Sequence, residues 1–579
     1  MPSLTTVARD AVLRMRRPPD PGELGIQRWI AFSLMIGVVA GLGAALLQWA
    51  IDSVNALALV RLAGYGPPGL PSEGGDLTQR YLPGFRWWLF PLVPALGGLV
   101  TGFIVYRFAP EAEGHGTDAV IRAYHREGGV IRARVPIVKI VASAITLGTG
   151  GSGGREGPIA QIGSGFGAWF ASALRLTDRE RRIMLLAGAA GGIGAIFRAP
   201  LGGALVICEL LYRNMEFEYD AVVPALLTAV VGYTVYSLIF GWAPMFETSH
   251  QVFDHPENLL VYLVLGIVVA LLGWCYVKTF YAMHERLFAR LPLPRMVRPA
   301  LGGLLTGLLG LAVPQAVGLG YGWIQLGMQD RLGFVDYAAG ALGKIVATGF
   351  TISSGGSGGV FGPAVVIGGF AGGAVGRLFA HLLPSWHLHP EAFILVGMAA
   401  FFGGAAKAPI GALLMISEMT SGYGLLVPLM LACAVAFMLV PRHVSIYAEQ
   451  VDGSVSSPAH FERYLTHVVA SLRRSAAPGA PGERVPTGCR VAAPRPSGAP
   501  LADAGLLDVD VGRAAGRRVG DLSLGRDVAA VAIRRGGRTL VPASDALLAP
   551  GDRLVVIAPA DRLGQVLDAL RPPPSALRT

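Results

Sequence analysis

Charged residues are scarce in this sequence: Asp, Glu, Lys and Arg make up 15% of its 579 residues, whereas soluble globular domains carry about 25%. It has only four cysteines and no CxxC pair, which argues against a disulfide framework or a zinc site. No Walker-type Lys-Ser/Thr follows its glycine-rich loops, which argues against nucleotide binding. Despite a net charge of +10, no long basic patch with interleaved aromatic residues indicates a nucleic-acid partner.

Uncharged apolar runs, in contrast, recur along the chain. They lie at residues 29–51, 90–106, 222–240, 259–276 and 425–440. A transmembrane helix needs about 20 apolar residues, so these runs predict a polytopic helical membrane domain rather than a single anchor. Many of the 79 glycines lie within such runs, and small residues allow membrane helices to pack closely.

Composition divides the chain into four expected parts. Residues 1–27 are a polar lead-in, 28–450 the membrane domain, 451–502 a linker and 503–579 a small mixed α/β domain. Arginines precede the first apolar run, so the positive-inside rule places the N-terminus in the cytoplasm. We expect an integral protein of the plasma (inner) membrane with both termini cytoplasmic.

The membrane domain contains an internal repeat. Residues 139–158 and 344–363 begin with Lys-Ile-Val-Ala and are identical at 12 of 20 positions. A second pair of similar segments, at 198–202 and 407–411, leads to Glu209 in one half and Glu418 in the other. Duplicated halves are typical of transporters whose substrate site lies at the repeat interface. Because Glu209 and Glu418 are equivalent, we expect them to share a structural role such as capping or ion pairing.

Both repeats contain a glycine-rich loop, GGSGGREGP at residues 150–158 and GGSGGVFGP at 355–363. Each loop precedes a helical segment that we expect to begin at its proline, a favourable first-turn residue. Free N–H groups and the positive end of the helix dipole attract anions at such a position. The two loops therefore predict an anion site inside the membrane domain. No Ser-His-Asp or metal constellation indicates an enzyme, and no cofactor is expected.

The paired GREGP and GVFGP motifs, at residues 154–158 and 359–363, resemble the CLC family of chloride channels and chloride/proton antiporters. The resemblance covers about residues 28–450. It implies a homodimer of all-α polytopic subunits with inverted repeats, each with its own pore for chloride. It also implies an anion site formed by the following residues: His115, Gly116, Arg155, Glu156, Gly157, Val360, Phe361 and Tyr447.

Within this resemblance, Glu156 is the gating glutamate, whose carboxylate competes with chloride and is released by protonation. The alternative is that Glu156 only caps its own helix. Tyr447, just after the last apolar run, is the candidate for the family's central tyrosine; a tyrosine at the membrane interface is the alternative. Phe361 holds the position equivalent to Glu156, so only one repeat carries a carboxylate there.

Two residues depart from the family pattern within the membrane domain. His115, in GHGTD at residues 114–118, replaces the serine that donates to the central anion. Its imidazole could also donate, which predicts pH-sensitive anion binding; the alternative is that the ring only packs. Leu210 lies at the position of the glutamate that passes protons in exchangers, and leucine carries no proton.

The tail resembles the C-terminal TrkA or RCK regulatory domain rather than paired CBS modules. The resemblance depends on residues 519–524, a predicted hairpin around 534–538 and a strand at 553–558 after the turn at 550–552. A short helix is expected at 563–570. Related domains dimerise and can bind small ligands, so we expect a cytoplasmic regulatory module with an unidentified ligand; a passive folded tail is the alternative.

Together these features predict chloride transport across a lipid bilayer, with chloride as substrate and no nucleic-acid partner. Leu210 favours a chloride channel gated by Glu156 and pH over a chloride/proton antiporter, which stays open as the alternative. A fluoride-selective relative is a further alternative. A membrane receptor that senses a ligand through its tail is disfavoured by the two anion loops.

Overall fold

The computed structural model describes residues 26–78, 80–249, 252–460, 504–510, 515–522, 528–535, 538–540, 542 and 545–559. These residues fall into two units. The first comprises the described residues up to 124 and from 129 to 450, and the second comprises 125–128 and the described residues from 451 onward. The predicted helix at 563–570 and most of the predicted linker lie outside the described residues.

The described part of the chain contains 16 α-helices. In the first half they are α1 Ile26–Asn55, α2 Leu92–Phe108, α3 Thr117–Arg126, α4 Arg134–Gly148, α5 Glu156–Ala173, α6 Asp178–Ile196, α7 Pro200–Glu209 and α8 Tyr219–Phe240. In the second half they are α9 Leu259–Ala282, α10 Arg298–Ala312, α11 Tyr321–Met328, α12 Phe334–Ser353, α13 Phe361–Leu382, α14 Pro390–Ala406, α15 Pro409–Thr420 and α16 Leu426–Leu439.

Helix lengths within the described residues fit a membrane domain. Four helical segments are long and apolar enough to cross a bilayer: Gln27–Ala63, Tyr219–Phe240, Pro256–Phe288 and Phe361–Leu382. Other apolar helices have only 10–17 residues. At 1.5 Å per residue these are shorter than the hydrocarbon core, which is about 30 Å thick. Helix ends within a membrane are tolerated where they are buried in protein or line a cavity.

The two halves repeat one another in three dimensions. Thr101 on α2 hydrogen-bonds Thr146 on α4 at 3.0 Å, and Thr306 on α10 hydrogen-bonds Thr351 on α12 at 2.9 Å. The helix pairs that pack closely through glycines repeat as well: α5 packs on α6 in one half, and α13 packs on α14 in the other. The repeat seen in sequence therefore extends to the packing of whole helices.

Close helix packing depends on glycine, as the composition predicted. A methyl group at Gly163 on α5 would collide with the carbonyl of Gly188 on α6, and one at Gly188 would collide with the carbonyl of Gly163. The equivalent pair, Gly368 and Gly397, has the same relationship. Small residues at these crossings let the backbones approach, which places the N-termini of α5 and α13 deep in the protein.

The first unit contains one short antiparallel pair among its described residues, β1 Tyr65–Gly66 with β2 Arg80–Tyr81. The second unit contains a four-stranded antiparallel sheet. Its strands are β3 Ala504–Asp510, β4 Ala529–Arg535, β5 Arg538–Leu540 and β6 Arg553–Pro559, in the order β3-β6-β4-β5. The β4–β5 pair confirms the predicted hairpin, and β6 confirms the predicted strand. Its core is formed by Val528, Ile533, Leu548, Leu554 and Val556.

Candidate anion site

The two glycine-rich loops meet inside the membrane domain. The N–H of Gly154 donates to the carbonyl of Gly359 at 2.7 Å, and the N–H of Gly359 donates back at 2.5 Å. This antiparallel bridge joins the starts of α5 and α13. The helices begin at Glu156 and Phe361, two residues before the prolines, so the expectation that they begin at proline was wrong. The earlier start puts Glu156 itself in the first helical turn.

Glu156 extends its carboxylate to the opposite helix. One carboxylate oxygen accepts a hydrogen bond from the N–H of Gly362, in the first turn of α13, at 3.1 Å. The other accepts a short hydrogen bond from the hydroxyl of Tyr321. Glu156 is 1% exposed. A buried carboxyl group therefore occupies the N-terminus of α13, where a free anion would be attracted by the same N–H and helix dipole.

Glycines make room for this carboxylate. A methyl group added at Gly362 would lie 2.9 Å from both carboxylate oxygens of Glu156, and one at Gly359 would lie 3.2 Å from one of them. A side chain at either position would crowd the carboxylate. The glycines that expose backbone N–H groups thus also define the space available to the anion.

Arg155 turns away from the anion position. Its guanidinium donates to both carboxylate oxygens of Glu73, at 2.5 and 3.1 Å, and to the side-chain oxygen of Gln48. It also lies 5.5 Å from the ring centroid of Tyr321. Arg155 is fully buried, and its ion pair with Glu73 anchors the loop before α5. Its side chain therefore supports Tyr321, which in turn contacts Glu156.

Phe361 fills the position equivalent to Glu156 with a ring. That ring lies 3.9 Å from the ring centroid of Phe402 and 4.9 Å from that of Phe197. The carbonyl of the neighbouring residue, Val360, accepts from the hydroxyl of Tyr276 at 3.1 Å. The second loop thus contributes backbone and aromatic packing, while the first loop contributes the only carboxylate at these two equivalent positions.

The loop that contains His115 and Gly116 packs on the first turn of α5. Gly116 has a φ of +82°, and a methyl group there would lie 2.9 Å from the carbonyl of Gly157. Buried Lys139 secures this loop, because its Nζ donates to the carbonyl of Gly114 at 2.7 Å. Residues 115, 116 and 157, predicted to share the site, are therefore adjacent.

His115 lies between a carboxylate and a tyrosine ring. Its Nε2 is 3.2 Å from the carboxylate of Asp118, and its ring centroid is 5.6 Å from that of Tyr447. Its Nδ1 is buried and has no hydrogen-bond partner among the described residues. The ring therefore has one nitrogen held by protein and one left for another species.

Tyr447 is 1% exposed and belongs to a tightly held segment. Its N–H donates to the hydroxyl of Ser445 at 3.1 Å, and the carbonyl of Ile446 accepts from the hydroxyl of Tyr281 at 2.9 Å. The adjacency of Tyr447 to His115 brings together two residues 332 positions apart in sequence.

Leu210 is also buried, and its carbonyl accepts from the side chain of Gln450, in the same segment as Tyr447, at 2.7 Å.

Sequence reasoning missed Tyr321 and the paired lysines. Tyr321 lies in GLGYG at residues 318–322, which matches the spacing of GHGTD at 114–118 in the first half. Lys344 donates to the carbonyl of Gly318 at 2.5 Å, just as Lys139 does to Gly114. Both signals were present in the sequence: each lysine begins its repeat, and the first glycine of each pair lies 25 residues before it in one half and 26 in the other.

Comparison with known proteins identifies the family of the chain. The voltage gated chloride channel family matches residues 97–440. The TrkA-C domain matches residues 508–571, which confirms the predicted resemblance of the tail to that domain. The H(+)/Cl(-) exchange transporter ClcA of Cronobacter sakazakii is 32% identical over 438 residues, which cover 74% of this chain and 90% of that protein.

Two solved structures share the fold. One, a slow cyanobacterial Cl-/H+ antiporter, has a TM-score of 0.63 at 23% identity and covers 71% of this chain and 94% of that chain. The other, a CLC-type fluoride/proton antiporter, has a TM-score of 0.61 at 23% identity and covers 74% of this chain and 100% of that chain. The paired loops, the repeat and the family match lead to one conclusion: this membrane-embedded chain belongs to the CLC family of voltage gated chloride channels, with a C-terminal TrkA-C domain.

Proposed function

We propose that this protein exchanges chloride for protons across a membrane and that Glu156 is the group at which the two ions compete. The observation that carries the proposal is the carboxylate of Glu156 at the N-terminus of α13, where it accepts from the N–H of Gly362 at 3.1 Å. A carboxylate in that position is a tethered anion. Chloride can occupy the same donors only when the carboxylate leaves.

Protonation provides the reason for the carboxylate to leave. A protonated carboxyl group has lost the charge that the N–H and the helix dipole stabilise. Chloride then gains the position, and the proton stays on the displaced side chain. Alternate occupation by chloride and by ionised Glu156 couples movement of one ion to movement of the other.

The relatives support exchange rather than the channel that the sequence favoured. The Cronobacter protein is named an H(+)/Cl(-) exchange transporter, and one matching structure is of a Cl-/H+ antiporter. Leu210 is the one observation that favours a passive chloride channel, because it cannot relay a proton. We therefore keep the channel as the second candidate and test both together.

The test uses the full chain reconstituted in liposomes with a chloride gradient. Uphill proton movement driven by chloride supports exchange, and chloride flux without proton movement supports the channel. Glu156→Gln should retain chloride flux and abolish proton movement, because glutamine fills a similar volume without titrating. Unchanged proton coupling in Glu156→Gln would contradict the assigned role of Glu156.

The same preparation addresses selectivity and assembly. Substituting fluoride or nitrate for chloride measures which anion drives proton movement.

The homodimer that the resemblance implies stays a prediction, and the mass of the detergent-solubilised protein tests it. A monomer that transports at the full rate would contradict the dimer as a functional requirement.

A further inference from the structure

We propose that His115 and Asp118 form a proton-binding pair that takes up a proton when chloride binds beside the His115 ring. The inference rests on the proposed exchange of chloride for protons. It supplies a second proton-binding group in a chain whose usual position for one is occupied by Leu210. No side chain is oxidised or cleaved: one proton from water adds to an imidazole nitrogen and later leaves it.

The hydrogen bond to Asp118 fixes the state of the ring. Nε2 of His115 lies 3.2 Å from the carboxylate of Asp118, and an ionised carboxylate can only accept. Nε2 therefore carries a hydrogen, and the neutral ring presents a bare lone pair at Nδ1. That lone pair would repel an anion. A protonated ring presents an N–H at Nδ1 and a positive charge.

Burial makes this difference matter. His115 is 8% exposed, and its Nδ1 has no hydrogen-bond partner among the described residues. A buried polar atom without a partner is costly. A proton on the ring balances the charge of Asp118 and turns Nδ1 into a donor, and chloride beside Nδ1 accepts from that donor. Proton and chloride therefore stabilise one another at this position, which is linkage between two ligands.

Asp118 connects the pair to solvent and to the tyrosine segment. Its side chain retains 17% exposure, so protons from water reach the pair at its carboxylate. It also accepts from the N–H groups of Ala448 at 3.3 Å and Glu449 at 3.2 Å. These contacts hold Asp118 against the residues that follow Tyr447. The same segment reaches Leu210 through Gln450.

Few charged groups lie beside the pair. The titratable and charged groups next to it on the surrounding elements are Tyr447, Tyr281, Lys139 and the Arg122–Glu449 ion pair. Arg122 is paired with Glu449 at 3.2 Å, and the side-chain nitrogen of Lys139 is bonded to the carbonyl of Gly114. Asp118, at 3.2 Å from Nε2, is the charged group that contacts the ring.

The transport test compares His115→Ser with the full-length wild-type protein in liposomes. Serine still donates to chloride but cannot take up a proton, so we expect the number of protons moved per chloride to fall close to zero. Adding Leu210→Glu to His115→Ser should restore proton movement. His284→Ser is the matched control, because Nδ1 of His284 is already bonded to the carbonyl of Ser353.

A binding measurement tests the pair without transport. In a Glu156→Gln background, titration calorimetry in buffers of different ionisation enthalpy counts the protons taken up with chloride. We expect about one proton per chloride, since uptake measures the linkage between the two ligands, and none after His115→Ser. If His115→Ser fails to fold, Asp118→Asn provides the second test, because asparagine has nearly the shape of aspartate. This variant should also reduce the proton uptake.

The outcomes separate this inference from the proposed function. Wild type that moves chloride but no protons would overturn exchange, while proton uptake in the Glu156→Gln calorimetry would still support the pair. His115→Ser that pumps protons at the wild-type ratio would overturn the pair and leave exchange intact. Chloride binding without proton uptake in Glu156→Gln would overturn it as well.

Discussion

Glu209 and Glu418 each cap the N-terminus of a helix in the opposite repeat. The carboxylate of Glu209, at the end of α7, accepts from the N–H of Gly411 at 2.7 Å and from that of Ile410 at 3.2 Å. The carboxylate of Glu418, on α15, accepts from the N–H of Gly202 at 2.7 Å and from that of Leu201 at 3.2 Å. The capping role predicted for these equivalent residues is confirmed, and each cap crosses to the other half.

Removal of either cap should destabilise the membrane domain. Glu209→Ala leaves buried N–H groups without a partner, so we expect a loss of about 2–4 kcal/mol in the free energy of unfolding. Glu418 is less buried than Glu209, so Glu418→Ala should cost less because water replaces part of the lost bonding. Thermal unfolding in detergent measures both. Equal unfolding temperatures for the two variants and wild type would contradict the capping role.

Tyr321→Phe should loosen the hold on Glu156. The variant keeps the ring beside Arg155 but removes the hydroxyl that donates to the carboxylate. Because hydrogen bonds to charged groups contribute about 1.5–3 kcal/mol, chloride should compete better and its affinity should rise about tenfold or more. Calorimetric titration with chloride measures this change.

The matched control is Tyr337→Phe, which removes a buried hydroxyl that donates to the carbonyl of Gly327 at 3.0 Å. It should leave chloride affinity unaltered. A similar rise in both variants would mean that Tyr321 acts through general packing and not through Glu156.

Gly362→Ala should expel the Glu156 carboxylate from its site. The added methyl group would collide with the hydroxyl of Tyr321 and lie 2.9 Å from both carboxylate oxygens of Glu156, so the tyrosine and the carboxylate that it holds would both have to move. We expect weaker pH dependence of chloride flux, similar to that of Glu156→Gln. Gly273→Ala is the control, because its methyl group would meet Ala405 at 3.7 Å, an ordinary contact. Flux with the pH dependence of wild type in Gly362→Ala would contradict this geometry.

In the TrkA-C domain, Arg535 and Asp552 should make stability depend on pH. Arg535 donates to both carboxylate oxygens of Asp552 at 2.7 Å, and this lowers the pKa of Asp552. A lowered pKa in the folded state stabilises the fold above the unfolded value of about 3.9, and that stabilisation is lost as the pH falls through the lower folded value.

Arg535→Ala should therefore weaken β4 and β6 most at neutral pH and least below the lowered folded pKa of Asp552, where the carboxylate is protonated in either protein. Hydrogen exchange of residues 553–559 in the full chain, corrected for the intrinsic rate, measures the difference. Arg535→Lys should be intermediate, because it keeps the charge but loses the two-point hydrogen bond. A pH-independent difference between wild type and Arg535→Ala would argue against the ion pair.

The amino-acid sequence by itself determined the class of the protein and the elements of its site. Apolar runs and scarce charge indicated membrane helices, and helix α9 begins at Leu259, the first residue of a predicted run. The repeated loops predicted an anion site because glycine-rich segments before helices expose N–H groups, and the resemblance to the CLC family singled out Glu156 as its gating residue. In the tail, two β-rich runs on either side of the Arg-Arg-Gly-Gly-Arg turn at 534–538 predicted a hairpin from local pattern alone.

Only the tertiary structure decided which groups meet. The carboxylate of Glu156 is bound by Gly362 and Tyr321, which lie in the other half of the chain, and Nε2 of His115 is held by Asp118, whose carboxylate also binds the segment after Tyr447. Local sequence patterns carry periodicity and turn chemistry, whereas hydrogen bonds between distant residues depend on how the halves pack. The caps formed by Glu209 and Glu418 have the same origin, because each carboxylate binds backbone N–H groups of the other half.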